Sequence, residues 1–122
     1  MSFLSRLFGA QAVQTAMPEL DVDEVQRRLK QKPCPLLVDV RELTEYREAH
    51  IEGARLIPLG ELPAHLDELP RNLEIVFVCR SGSRSARATH LLREAGFAAV
   101  NMRGGMSAWG RAALPSTKGD PS

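Results

Sequence analysis

Cysteine is scarce in this chain, with two residues, Cys34 and Cys79, among 122. No CxxC pair and no Cys/His cluster has metal-ligand spacing, so neither a metal site nor a disulfide framework organises the fold. Net charge is equally scant, with 16 Lys and Arg against 15 Asp and Glu. Nothing global selects nucleic acid or an acidic partner, so any electrostatic specificity is local. No apolar stretch approaches the ~20 residues of a membrane-spanning helix, and stable membrane insertion is not expected. The opening MSFLSRLFGA is too short and too interrupted for the apolar core of a secretion signal. A chain with free thiols fits a reducing compartment, and the expectation is a cytoplasmic protein.

The content that remains is that of one domain. A length of 122 residues leaves little room for a second, and 43% apolar residues suffice for a packed core. Residues 1–17 read as a leader, either disordered or a short amphipathic helix, with Phe3, Leu4, Leu7 and Phe8 on one face. That stripe is shorter and less basic than an interfacial anchor needs, though it suits a weak self-association, so a monomer or weak dimer is expected. The domain itself spans 18–115, and PSTKGDPS at the end reads as a disordered tail over 116–122.

Within the domain, strand-like and helix-like segments alternate. Asp21 followed three residues later by Glu24 resembles a capping box for a helix over 22–31, carried by Val22, Val25 and Leu29. PLLVDV (35–40) reads as a buried strand, RELTEYREAH as a short helix, ARLIP (54–58) as a strand and LGELPAHLDELP as a helix broken near Pro63. IVFV (75–78) is the strongest strand, and Ala88, Leu91, Leu92 and Ala95 mark a helix packed on a sheet. FAAVNM (97–102) and GGMSAWGRA add a last strand and a last helix. The alternation predicts an α/β fold with a mostly parallel central sheet of four to five strands and helices on both faces.

The chemistry concentrates in IVFVCRSGSRS (75–85). An apolar strand ends at Cys79, the carboxyl edge where open α/β sheets place their ligands, and then breaks into polar residues. A loop entering a helix there can turn successive backbone N–H groups inward as an anion nest. Gly82 permits positive φ or close approach, and Ser81, Ser83 and Ser85 add hydroxyls, of which Ser83 or Ser85 suits a helix cap. Arg80 and Arg84 contribute two fixed positive charges. Such a setting lowers a thiol's pKa from about 8.5 towards roughly 3.5–7.5 and makes the thiolate a nucleophile. An inert buried cysteine would account for Cys79 but not for the RSGSRS that follows it.

These residues resemble the active-site loop of single-domain rhodanese sulfurtransferases. LVDVRELTEYREAHIEGARLIPL is similar to the segment that leads into that fold, and GFAAVNMRGGMSAW to its close, so the resemblance covers about residues 18–115. It implies a rhodanese-like fold and a double displacement. Cys79 takes a sulfane sulfur from thiosulfate or a similar donor, becomes a persulfide, and yields the sulfur to cyanide, a thiol or a protein acceptor. Arg80, Ser81, Gly82, Ser83, Arg84 and Ser85 would bind substrate, with no metal or organic cofactor. Arg80 stands where thiosulfate-using relatives commonly carry a basic residue. The alternatives are phosphatase or arsenate-reductase chemistry at the same loop, or a sulfur-carrier or binding module acting with a partner protein. The fold-related phosphatases separate cysteine and arginine by five residues, whereas four lie between Cys79 and Arg84.

Other chemistry-bearing residues have plainer readings. Asp39 and Arg41 suit a structural ion pair or cap. His50, His65 and His90 share no spacing that suggests a general base. Cys34, flanked by prolines, reads as a passive loop residue rather than a resolving thiol. Trp109, Met102 and Met106 read as packing, and Gly104 and Gly105 as the start of the last helix near the active-site face.

Overall fold

The computed structural model describes residues 17–122. In chain order these form β1 (Glu19–Leu20), α1 (Val22–Leu29), β2 (Leu36–Asp39), α2 (Leu43–Glu48), β3 (Arg55–Leu56), a 3₁₀-helix (Leu59–Glu68), β4 (Ile75–Val78), α3 (Ser83–Glu94), β5 (Ala99–Met102) and α4 (Gly105–Arg111). The strands make one sheet in the order β1-β5-β4-β2-β3, and every pairing is parallel. The expected α/β architecture is therefore present with five strands. The leader read over 1–17 lies, but for Met17, outside the described residues.

Strand alternation divides the apolar residues between two faces. From β4, Ile75 and Phe77 join Ala88 and Leu92 of α3 and Leu62 of the 3₁₀-helix in one core. Val76 and Val78 point the other way, into a second core with Val25 of α1, Tyr46 of α2 and Trp109 of α4. All four β4 residues are fully buried, as a central strand covered on both faces must be.

Several boundaries differ from the sequence reading for identifiable reasons. Unlike the equally short β3 within ARLIP (54–58), β1 has no apolar run of its own to mark it. It is defined from outside, by pairing with β5 in which Asn101 N–H donates to Pro18 O at 2.9 Å and Arg103 N–H to Leu20 O at 2.8 Å. The helix expected near Pro63 is a 3₁₀-helix over Leu59–Glu68 that runs through that proline. Asp21 does cap α1, accepting from Glu24 N–H at 3.0 Å. Glu24, however, turns to Arg27 and Arg28 instead of completing a box.

The tail expected to be disordered over 116–122 folds back on the domain. Thr117 and His50 exchange two backbone hydrogen bonds at 2.8 and 2.9 Å, Gly119 N–H donates to Arg47 O at 3.0 Å, and Asp120 pairs with Arg47. Trp109 Nε1 adds a bond to Pro115 O at 2.9 Å. Composition suggested disorder, but these backbone partners supply the order.

At the end of β2, Asp39 and Arg41 form the expected structural pair. Arg41 donates Nε and Nη2 to the carboxylate at 2.9 and 2.8 Å, and both side chains are buried, at 4% and 0% exposure. Arg41 Nη2 also donates to Ala49 O at 2.7 Å, which ties the strand end to the far end of α2. Asp39→Ala leaves a buried guanidinium unpaired and should cost about 3–5 kcal/mol of stability. Urea unfolding measures this, and a loss below about 1 kcal/mol would show that the pair is dispensable.

Candidate active site

The two-residue period of β4 carries one step past the strand. Cys79 falls on the same face as Ile75 and Phe77 and joins the core beneath α3. Its side chain therefore points at the start of that helix. The residue retains 1% of its surface, so the thiol lies buried under its loop.

Gly82 occupies the N-cap position of α3 with φ +106° and offers no side-chain oxygen. The capping expected of Ser83 or Ser85 does not occur. The sulfur of Cys79 takes that place. It accepts from Gly82 N–H at 3.1 Å, Ser85 N–H at 3.3 Å and the Ser85 hydroxyl at 3.3 Å. Ser85 is the third residue of α3, whose amide a conventional cap would serve. Ser85 and Gly82 are buried, while Arg80, Ser81 and Ser83 are exposed and Arg84 is half-buried.

Amides can converge on the sulfur because the loop carbonyls are engaged elsewhere. Met106 N–H donates to Cys79 O at 2.8 Å and Ser107 N–H to Arg80 O at 2.9 Å, so the first turn of α4 holds both. Asn101 Nδ2 holds the carbonyl of Gly82 at 3.2 Å. Gly105 makes the first contact sterically feasible. A Cβ there would stand 2.3 Å from Cys79 O, and its φ of +58° lies in the left-handed region. The early position of Gly104 and Gly105 in the last helix, close to the cysteine loop, matches the sequence reading.

Burial opposes ionisation of Cys79 and is the largest single influence on it. The Ser85 hydroxyl and the amides of Ser85, Gly82 and Ser81 together outweigh it and hold the thiol below its ordinary pKa. The direction is the expected one, but its leading causes are hydrogen bonds and not the arginines. Arg84 is committed to a residue that the sequence reading overlooked. Its Nη1 and Nη2 donate to Glu45 Oε2 and Oε1 at 2.9 and 2.8 Å. Arg80 is 63% exposed, with Nε 3.9 Å from the same carboxylate. Arg84 holds Glu45 well below the usual carboxylate range, at about 2, chiefly through its hydrogen bonds, with the Glu42 amide and the charge of Arg41 adding to the effect against burial.

The remaining candidates lie elsewhere. His50 is buried and stacked on Tyr46 with ring centroids 3.7 Å apart, while His65 and His90 face Glu68 and Glu94. Cys34 is exposed ahead of β2. Because the strands are parallel, that is the opposite end of the sheet from Cys79, which rules out an internal disulfide between the two. Trp109 and Met102 are core residues and Met106 packs against that core. Glu45 was legible only as a helix-start glutamate, and nothing in the spacing of ELTE indicated that it reaches a loop 39 positions away.

Comparison with known proteins gives a consistent result. Residues 21–112 match the Rhodanese-like domain family. A sulfurtransferase of Allochromatium vinosum is 37% identical over 98 residues, covering 80% of this chain and 92% of that protein. A putative sulfur carrier protein of Bacillus subtilis, YrkF, is 36% identical over 96 residues, covering 78% of this chain but 52% of that longer protein. Among solved structures, a rhodanese-like domain protein from Staphylococcus aureus superposes with a TM-score of 0.73 at 35% identity, covering 76% of this chain and 91% of its own.

Replacing Ser85 with Ala removes one donor to the sulfur. In a Cys34→Ser background, the pH profile of Cys79 alkylation by iodoacetamide should shift to higher pH. The neutral-pH rate should fall roughly tenfold, as losing a hydrogen bond to a charged group implies. A profile superimposable on that of the parent would show that the hydroxyl does not stabilise the thiolate.

Proposed function

The chain belongs to the rhodanese-like domain family, and we propose that it moves a sulfane sulfur from thiosulfate or a similar anionic donor to a thiophilic acceptor through a persulfide on Cys79. The named relatives support sulfur transfer in general. The observation that carries the finer reading is the convergence of two amides and one hydroxyl on the Cys79 sulfur at the start of α3.

In the first half-reaction, the Cys79 thiolate attacks the outer sulfur of thiosulfate. The S–S bond of the donor breaks and sulfite departs with its electron pair, so Cys–S⁻ and S–SO₃²⁻ become Cys–S–S⁻ and SO₃²⁻. In the second, cyanide or a thiolate attacks the terminal sulfur. Thiocyanate or a new persulfide departs and Cys79 is restored as thiolate. Both steps begin and end with negative charge on sulfur, so fixed N–H and O–H donors favour them without a general base. That agrees with the absence of any histidine hydrogen-bonded to the loop among the described residues. Arg80, Ser81 and Ser83 are the exposed members of the loop and would meet the incoming donor.

The pairing of Arg84 bears on phosphatase or arsenate chemistry. An oxyanion clamp needs a free guanidinium fork, and both Nη atoms of Arg84 are bonded to Glu45. This supports sulfur transfer over oxyanion chemistry.

Intact-mass measurement after incubation with thiosulfate should find a gain of about 32 Da on the parent chain and none on Cys79→Ala, with cyanide reversing it. A parent chain that stays unmodified by thiosulfate and by glutathione persulfide would overturn the reading.

A further inference from the structure

Two arginines beside a reactive sulfur would by themselves make a strongly anion-selective site. The structure places a carboxylate between them. Glu45 accepts both Nη atoms of Arg84 at 2.8 and 2.9 Å and lies 3.9 Å from Arg80 Nε. Its position is fixed from a second direction, because Oε2 also accepts Glu42 N–H at 3.0 Å at the start of α2. The carboxylate is 20% exposed and Arg84 33%, so solvent screens the pair only in part.

We propose that Glu45 is a specificity-determining residue of the Cys79 site. By holding Arg84 in a two-point pair beside Arg80, it cancels one of the loop's two positive charges and opens the site to partners that carry no oxyanion group as well as to anions. Glu45 touches neither the sulfur nor, in this reading, the substrate; it acts through the arginines. The low pKa of Glu45, about 2, means that its charge persists throughout any working pH, so the selectivity is constant and not pH-gated. The inference rests on Cys79 as the reacting sulfur and deepens the proposed function.

The test compares two alkylating agents of similar shape and different charge. Iodoacetate is an anion and iodoacetamide is neutral. In each case the Cys79 thiolate forms an S–C bond and iodide leaves with its electron pair. The ratio of the two second-order rates cancels changes in the thiol's ionisation and reports the charge around it. In a Cys34→Ser background, Glu45→Gln should raise the iodoacetate-to-iodoacetamide ratio roughly three- to tenfold at low salt, with the gain shrinking as salt is added. Arg84→Gln should lower the ratio, and Glu45→Gln added to Arg84→Gln should bring it back near the parent value. A ratio unmoved by Glu45→Gln in a folded protein would overturn the proposal. If Glu45→Gln alone fails to fold, an Arg84→Gln ratio that the second substitution leaves unchanged would overturn it instead. None of these readouts requires sulfur transfer. A chain that never gains sulfur but shows the ratio shifts refutes the donor chemistry and leaves the role of Glu45 standing, and the converse separates them equally.

Discussion

The first amides of α3 have no side-chain oxygen to receive them, because the cap position is a glycine with φ +106°. A buried helix start left in that state would be costly. The Cys79 sulfur fills the gap, and the requirement works in both directions. The helix gains an acceptor, and the sulfur gains donors that favour its charged form despite burial. A thiolate suits the position better than a thiol, since three donors already point at it. The lowered pKa of the thiol thus follows from the same demand that any helix terminus makes.

That arrangement depends on elements distant in sequence. The loop amides can face inward only while the carbonyls of Cys79 and Arg80 face the first turn of α4. The approach is close enough that a methyl group at Gly105 would stand 2.3 Å from a backbone oxygen. On the other side, Arg41 spans from Asp39 at the end of β2 to the carbonyl of Ala49 beyond α2. The strand ends, α2 and α4 therefore hold the loop from two directions, and the cores on both faces of the sheet hold those elements in turn.

Much of this was legible in the sequence, and the exceptions share a cause. The three four-residue strands, β2, β4 and β5, and α3 announced themselves through apolar runs and polarity, and the break after Val78 marked Cys79 as the candidate. Cys79 also belongs to the core by parity with Ile75 and Phe77, which the polarity of RSGSRS alone did not indicate. The short β1, the docked tail and the pairing of Arg84 were hidden because each depends on a partner remote in the chain. Glu19–Leu20 is a strand only beside β5. Thr117 is ordered by His50, and Arg84 is neutralised by Glu45. Local composition assigned the tail to disorder, which tertiary contact overturned, and it gave no sign of the carboxylate that Arg84 meets.

The position of Glu45 binds local helix chemistry to the charge of the site. As the third residue of α2, it satisfies the backbone N–H of Glu42, and a glutamine would keep a side-chain oxygen for that bond. The same carboxylate offers Arg84 two acceptor oxygens, and glutamine cannot keep both while also serving Glu42. The stability of the helix start therefore tolerates a neutral residue more readily than the two-point pair does. What distinguishes glutamate from glutamine at this position is chiefly the negative charge set against Arg80 and Arg84. A residue whose local structural duty has a neutral substitute, yet whose charge is held in place from two sides, is accounted for most directly by the electrostatics of the loop it faces.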